Sequence, residues 1–313
     1  MNCLCCGKPL KTENEYGWHQ SCITRFFGIK KLPDIDISED VLNQIAIENT
    51  NKGFTVPGVQ KKMSLYLSKD STPRLTIVNY PTGYILKPQT EEYPALPEME
   101  FLIMQMANIS GIKTVPFALL KMPSENTVAY ITKRIDRKDD KLLAMEDFCQ
   151  LDGRLTEDKY RGSYERCGKI ISKYSKNAGL DLAELYIRIV FSFAVGNSDM
   201  HLKNFSLIER DEGKSEYVLS EAYDMLSTNI VIPQDREELA LTLNGKKQNI
   251  RRKDFLIFAE AIGIPEKSAE KMIKKIVSLK DKYIEMCKDS YMPDDMKEAL
   301  VGLIDKRIGV LEG

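Results

Sequence analysis

Asp199, His201, Lys203 and Asn204 fall within six residues of one another in the string VGNSDMHLKNF, residues 195–205. The string follows a largely apolar run, residues 182–195, so four polar groups converge where a buried helix is expected to end. An aspartate with an asparagine five positions on is the spacing of a phosphoryl-transfer loop. There the carboxylate accepts the proton of the attacking hydroxyl, and the amide, on a chain that has turned back, binds Mg2+. A polar turn capping a helix is the simpler reading of the same residues. A second metal-binding carboxylate downstream favours chemistry, because the ion must bridge nucleotide phosphates. Phe205, Leu207 and, past a polar turn, residues 217–219 read as a hairpin, and Asp224 in Ala222-Tyr223-Asp224 then stands where that carboxylate is required.

These groups need a scaffold on both sides. Residues 63–68, 75–79, 83–87, 117–122 and 128–135 alternate as strands, and residues 98–109 between the third and fourth have helical spacing and end at Gly111. Five strands with one helix so placed is the plan of a kinase N-lobe. Within it Lys87 ends the third strand, where a phosphate-pairing lysine belongs, and Glu100 lies in the one helix able to hold it. A surface lysine and a solvated carboxylate are the plain alternatives. Gly53 and Gly58, just before the first strand, can let backbone N–H groups approach phosphates, although a turn would need the same glycines. Asp36 or Ser38 can cap a short helix ahead of them. Residues 142–149, an apolar run opening onto acids, suit a hinge that hydrogen-bonds an adenine, or a packed crossover. From about residue 150 the pattern is helical: 164–174, 182–195 behind an Asp181 cap, 255–261, 265–287 and 293–311, the last two opened by prolines. The expected architecture is α+β: a two-lobed protein-kinase-like fold with a small β-rich N-lobe (31–144), a larger all-helical C-lobe (145–313) and a Cys-rich N-terminal cap (1–30).

In the cap, Cys3-x2-Cys6 and His19-x2-Cys22 offer four soft ligands in two close pairs, as a small structural Zn2+ site requires; a reduced thiol cluster is the alternative. Seven cysteines, three of them Cys3, Cys5 and Cys6, argue against a disulfide framework. With 45 basic and 46 acidic residues the net charge is −1, so no overall field points to direct DNA binding or to an anionic membrane. No apolar run is long enough to span a bilayer and Met1-Asn2-Cys3 opens no signal peptide, so a cytoplasmic protein is expected.

Several strings carry a resemblance: Pro57-Gly-Val-Gln60-Lys-Lys, Tyr84-Ile-Leu-Lys87-Pro, Met145-Glu-Asp-Phe-Cys-Gln150, Asp199-Met-His201-Leu-Lys203-Asn204-Phe and Ala222-Tyr-Asp224. From about residue 50 onward the chain resembles the HipA family of bacterial serine/threonine kinase toxins. That resemblance implies a kinase that uses ATP and Mg2+ and phosphorylates a serine or threonine of a cellular target, in known members an aminoacyl-tRNA synthetase, so halting translation. It implies Asp199 as catalytic base, Asn204 and Asp224 as Mg2+ ligands and Lys87 as a phosphate contact. Gly58, Val59, Gln60, Glu100, Glu146 and Phe148 complete the expected nucleotide-binding set. His201 replaces a lysine that ordinary protein kinases keep, and Lys203 can supply the positive charge near the γ-phosphate. Thr55 matches the family's autophosphorylated serine, and phosphate there would expel the loop and inhibit. The short form resembles HipT, which implies a small antitoxin in place of the family's N-terminal subdomain, and a DNA-binding antitoxin besides. A small-molecule or lipid kinase and a non-catalytic pseudokinase are the competing readings.

Overall fold

Alternation along Met63–Leu67 buries Met63, Leu65 and Leu67 and exposes Ser64 and Tyr66, and this strand lies within a six-stranded sheet. The computed structural model describes residues 2–12, 14, 16–36, 62–68, 72–76, 83–122, 127–138 and 141–313. It divides into two units, Met1–Phe101 with Val115–Arg137 and Leu102–Thr114 with Lys138–Gly313.

The first unit holds strands β1 (Asp34–Asp36), β2 (Met63–Leu67), β3 (Arg74–Thr76), β4 (Tyr84–Lys87), β5 (Phe117–Lys121) and β6 (Val128–Lys133), in the order β1-β3-β2-β4-β6-β5. Strand β1 is an addition to the five expected. It pairs in parallel with β3, and a three-residue Asp-Ile-Asp segment is too short to show a period. Asp36, expected as a possible helix cap, is the last residue of this strand. The rest of that helix and the Gly-rich loop lie outside the described residues. The cap belongs to the same unit: in the helix Gln20–Phe27, Phe26 and Phe27 pack on Trp18 and on Tyr84 of β4, with ring centroids 5.5–6.0 Å apart, and on each other at 4.8 Å.

Where the chain leaves this unit, β7 (Arg137–Lys138) and β8 (Lys141–Leu142) form a two-stranded ribbon. The second unit is helical apart from a three-stranded sheet, in which β10 (Ser206–Glu209) lies between β9 (Met145–Asp147) and β11 (Tyr217–Leu219). Its central helix, Ala178–Val195, is buried at every position from Leu185 onward, as an apolar sequence on all sides requires. It opens a turn earlier than expected, because Asp181 does not cap it. Instead the Asp181 carboxylate accepts hydrogen bonds from Ser175 Oγ (2.5 Å) and the backbone N–H of Leu219 (2.7 Å), tying the helix to β11. The long pattern after Pro265 resolves into two helices, Glu266–Ser278 and Lys280–Lys288, that meet at Leu279. Among the described residues no helix is long and apolar enough to cross a membrane.

Candidate functional site

The helix Ala178–Val195 ends at Gly196, whose φ of 69° turns the chain out of the helix and into the loop. A Cβ at Gly196 would stand 2.8 Å from Leu303 Cδ2 and 3.2 Å from Ser227 Oγ. The leucine end can shift, so the left-handed backbone sets the cost. Gly196→Ala is expected to lose about 1–2 kcal/mol of stability, measured by urea denaturation.

Beyond Gly196 the loop is held by its own backbone. His201 N–H donates to Asp199 O (2.8 Å), and Leu202–Asn204 makes a single 3-10 turn that brings Asn204 back beside Asp199. Asn204 Nδ2 donates to the Asp199 carbonyl at 2.7 Å, which leaves Oδ1 as the donor atom toward a ligand. Tyr164 Oη donates to Met200 O (3.1 Å) and Leu202 N–H to Lys159 O (3.1 Å), anchoring the loop on both flanks. Tyr223 Oη bonds Ser206 Oγ (2.6 Å) and donates to Lys203 O (3.1 Å), so the residue before Asp224 is fixed to the same loop. Asp224 itself has φ 54°, a conformation that aspartate tolerates better than most residues and that concentrates at functional sites.

Burial raises the Asp199 carboxyl from its ordinary 3.8 to about 6; a hydrogen bond from Tyr160 and the charge of Lys159 oppose the rise, while Asp224 and Asp235 add to it. Tyr160 Oη donates to Asp199 Oδ1 at 2.5 Å. The His201 imidazole is 5% exposed, and burial lowers it to about 3, so it is neutral near pH 7. Its Nε2 lies 3.9 Å from Asp199 Oδ1, and its ring meets Tyr160 edge-on. Lys159, whose charge acts on Asp199, places its ammonium 5.0 Å from the Tyr160 ring centre.

Lys203 Nζ lies 2.7 Å from Asp147 Oδ2, at the end of β9. The same aspartate forms a capping box with Gln150: Gln150 N–H donates to Asp147 Oδ1 (2.9 Å) and Asp147 N–H to Gln150 Oε1 (2.9 Å). In this stretch Glu146 is exposed and pairs with Leu207 of β10. Phe148 is fully buried against Phe205, and its backbone N–H donates to Phe205 O (2.9 Å).

In the first unit, Lys87 at the end of β4 and Glu100 in the helix Leu96–Ile109 form an ion pair at 2.7 Å, with side chains 6% and 0% exposed. The Lys87 ammonium also lies 5.4 Å from the Tyr130 ring centre. Neither is the surface group its type would suggest. In the cap, ligand atoms of Cys3, Cys6, His19 and Cys22 all lie within 4.8 Å of one another. Thr55, Gly58, Val59 and Gln60 lie outside the described residues.

For the ion implied at Asn204 and Asp224, an amide oxygen, a carboxylate and substrate phosphates are the hard oxygen donors that Mg2+ prefers, so the donor set fits. Tyr160 and Lys159 were not anticipated. They stand on an irregular segment some forty residues before Asp199, and neither carried a motif.

The HipA-like C-terminal domain model matches residues 54–283. "Putative kinase Y4dM" of Sinorhizobium fredii is 34% identical over 219 residues, 65% of this chain and 52% of its own, so the chain spans about half of that relative. A "Putative kinase" of Haemophilus influenzae is 29% identical over 83% of this chain and 82% of its own. Among solved structures, HipA of Shewanella oneidensis, in a toxin–antitoxin complex with HipB and operator DNA, superposes with a TM-score of 0.69 at 18% identity, over 83% of this chain and 66% of that one. The Helicobacter pylori proinflammatory kinase CtkA gives 0.55 at 16% identity, over 80% and 95%. The fold is kinase-like.

Proposed function

The chain belongs to the HipA-like C-terminal domain family, and from that premise we propose that it is an ATP- and Mg2+-dependent serine/threonine protein kinase acting as the toxin of a toxin–antitoxin system. The observation that carries the reading is the turn that joins Asp199 to Asn204, with the Asp224 carboxylate near enough to raise Asp199. In this reading Asp199 orients the acceptor hydroxyl and takes its proton as the bond to phosphorus forms. The Tyr160 hydroxyl, which donates to Oδ1 at 2.5 Å, supports a carboxylate placed to accept from such a group. Asn204 and Asp224 would hold Mg2+, which when bound neutralises phosphate charge. Lys87, steadied by Glu100, is the phosphate contact, and the Lys159 ammonium adds positive charge beside the base. A translation component such as an aminoacyl-tRNA synthetase is the proposed acceptor, with a small antitoxin and a DNA-binding antitoxin as partners, the latter by likeness to HipA bound to HipB.

The test is expression of the chain beside an equally abundant Asp199→Ala variant, with γ-labelled ATP added to both lysates. Growth arrest and one labelled protein band with wild type alone support the proposal. Label appearing only on a small molecule makes it a metabolite kinase, and arrest by both proteins without labelling makes it a binding module.

A pH dependence follows from the site. A base near 6 is protonated in acid, so the rate should fall as pH drops through about 6. The Tyr160 hydrogen bond favours the charged form. Tyr160→Phe should therefore raise the Asp199 pKa and move the acid limb of the kcat/KM profile to higher pH. A limb that stays in place or moves down removes Tyr160 from the role of tuning the base.

A further inference from the structure

The proposed phosphoryl transfer makes no use of the side chains of the N-terminal cap, and their geometry has a chemistry of its own. Cys6 Sγ and Cys22 Sγ lie 3.4 and 3.8 Å from one atom, His19 Nδ1, and Cys3 Sγ completes a group of four within 4.8 Å. A tetrahedral ion with metal–sulfur bonds of about 2.3 Å and a metal–nitrogen bond of about 2.0 Å needs sulfur–nitrogen edges of about 3.5 Å. The two observed edges bracket that value. We propose that Cys3, Cys6, His19 and Cys22 bind one structural Zn2+ whose work is to clamp the cap over the open edge of the kinase sheet.

The surroundings of the four groups match a metal site. The other imidazole nitrogen, His19 Nε2, lies 3.1 Å from the Pro9 carbonyl, so a proton on Nε2 leaves the Nδ1 lone pair facing the three sulfurs. The Cys3-x2-Cys6 pair sits in a tight turn closed by Gly7 N–H to Cys3 O at 2.8 Å, with Gly7 at φ 69°. A backbone N–H, that of His19, donates to Cys3 Sγ (3.4 Å), and Arg25 Nη2 donates to Cys22 Sγ (3.6 Å). On binding, three thiols give up their protons. Three thiolates and a divalent ion carry a net charge of −1, which the guanidinium offsets. Four protein ligands leave no open position for catalysis. Softness of the donors selects zinc over Mg2+ or Ca2+, and all cysteines are in the free thiol form.

What the ion would hold is equally specific. In the sheet order β5 is an edge strand, with outward N–H and C=O groups open to pairing with another chain. The cap takes both groups of Leu119: its N–H donates to Leu4 O at 2.7 Å, and its carbonyl accepts from Trp18 Nε1 at 3.1 Å. Leu4 lies between the cysteine ligands, and Trp18 is next to His19. A segment this small, with one eight-residue helix, cannot bury enough apolar surface to stay folded by itself, and a metal supplies the missing constraint.

The experiment uses the full chain, purified without added metal or a histidine tag. One zinc per chain is expected by elemental analysis. Trp18 is the only tryptophan of the chain and is 1% exposed. Its emission should therefore move to the red when a strong chelator removes the ion, and return on back-titration with one equivalent of zinc. Cys22→Ser should lose the metal, whereas Cys5→Ser, outside the ligand set, should keep it. If Cys22→Ser is insoluble, the chelation and back-titration of the wild type decide alone. Wild-type protein that contains no zinc and takes up none when it is added overturns the proposal. So does stoichiometric iron in its place, or a Trp18 spectrum unchanged by removal of bound zinc. None of these readouts depends on kinase activity.

Discussion

Asp199→Ala is expected to slow phosphoryl transfer on the order of a thousandfold, about 4 kcal/mol of transition-state stabilisation, while ATP affinity stays nearly unchanged. The proposed role of the carboxylate concerns the acceptor hydroxyl, so nucleotide binding does not depend on it. Nor should the loop collapse. Asn204 is anchored to the backbone carbonyl of Asp199, which the substitution preserves. Stability supplies an internal control with a defined sign. The folded pKa of Asp199, about 6, lies above its ordinary 3.8, so the folded chain holds this proton more tightly than the unfolded one. The contribution of Asp199 to stability is therefore highest below pH 3.8, falls as pH rises between the two values, and above about 6 the charged group is a standing cost. Removing the group at pH 7 should leave the unfolding midpoint equal or higher, although Tyr160 loses its partner. Steady-state kinetics and urea denaturation on the same preparation check both halves. An inactive variant that is also strongly destabilised would mean that the loop, rather than the base, had been lost.

Glu100→Gln should have the largest effect on stability, a loss of about 3–5 kcal/mol, because it removes a carboxylate charge 2.7 Å from a lysine that stays buried. The Tyr130 ring face can offset only a fraction of this, about 1–2 kcal/mol for a desolvated cation–π contact. The informative companion is the double change Lys87→Met with Glu100→Leu. Replacing both ends of a buried pair with apolar groups of similar volume is often neutral or stabilising, so urea denaturation should recover most of the loss. Phosphoryl transfer should not recover, since the proposed phosphate contact is gone. If the double variant regains activity along with stability, the pair is scaffold and Lys87 has no part in nucleotide binding.

Much of this molecule is legible in short stretches of sequence. The turn from Asp199 to Asn204, the two close pairs Cys3/Cys6 and His19/Cys22, and strands such as Met63–Leu67 all follow from neighbours within a few residues, where backbone geometry alone fixes which side chains can meet. Helix boundaries were less so. Asp181 has the chemistry of an N-cap, yet its carboxylate is taken by Ser175 and by Leu219, thirty-eight residues on. Within the stretch 142–149 that suits a hinge, Asp147 forms a capping box with Gln150 and pairs with Lys203, fifty-six residues on.

The identity and spacing of the candidate site groups are properties of the local chain, because they depend on residue type and on distances along a few bonds. Tertiary structure alone decided their electrostatic state. Tyr160 and Lys159 reach Asp199 from an irregular segment with no periodic signal, burial makes His201 neutral, and the edge of β5 is covered by residues more than a hundred positions away. Charge, protonation and edge protection are set by what surrounds a group in space, and that is fixed only when distant parts of the chain have packed together.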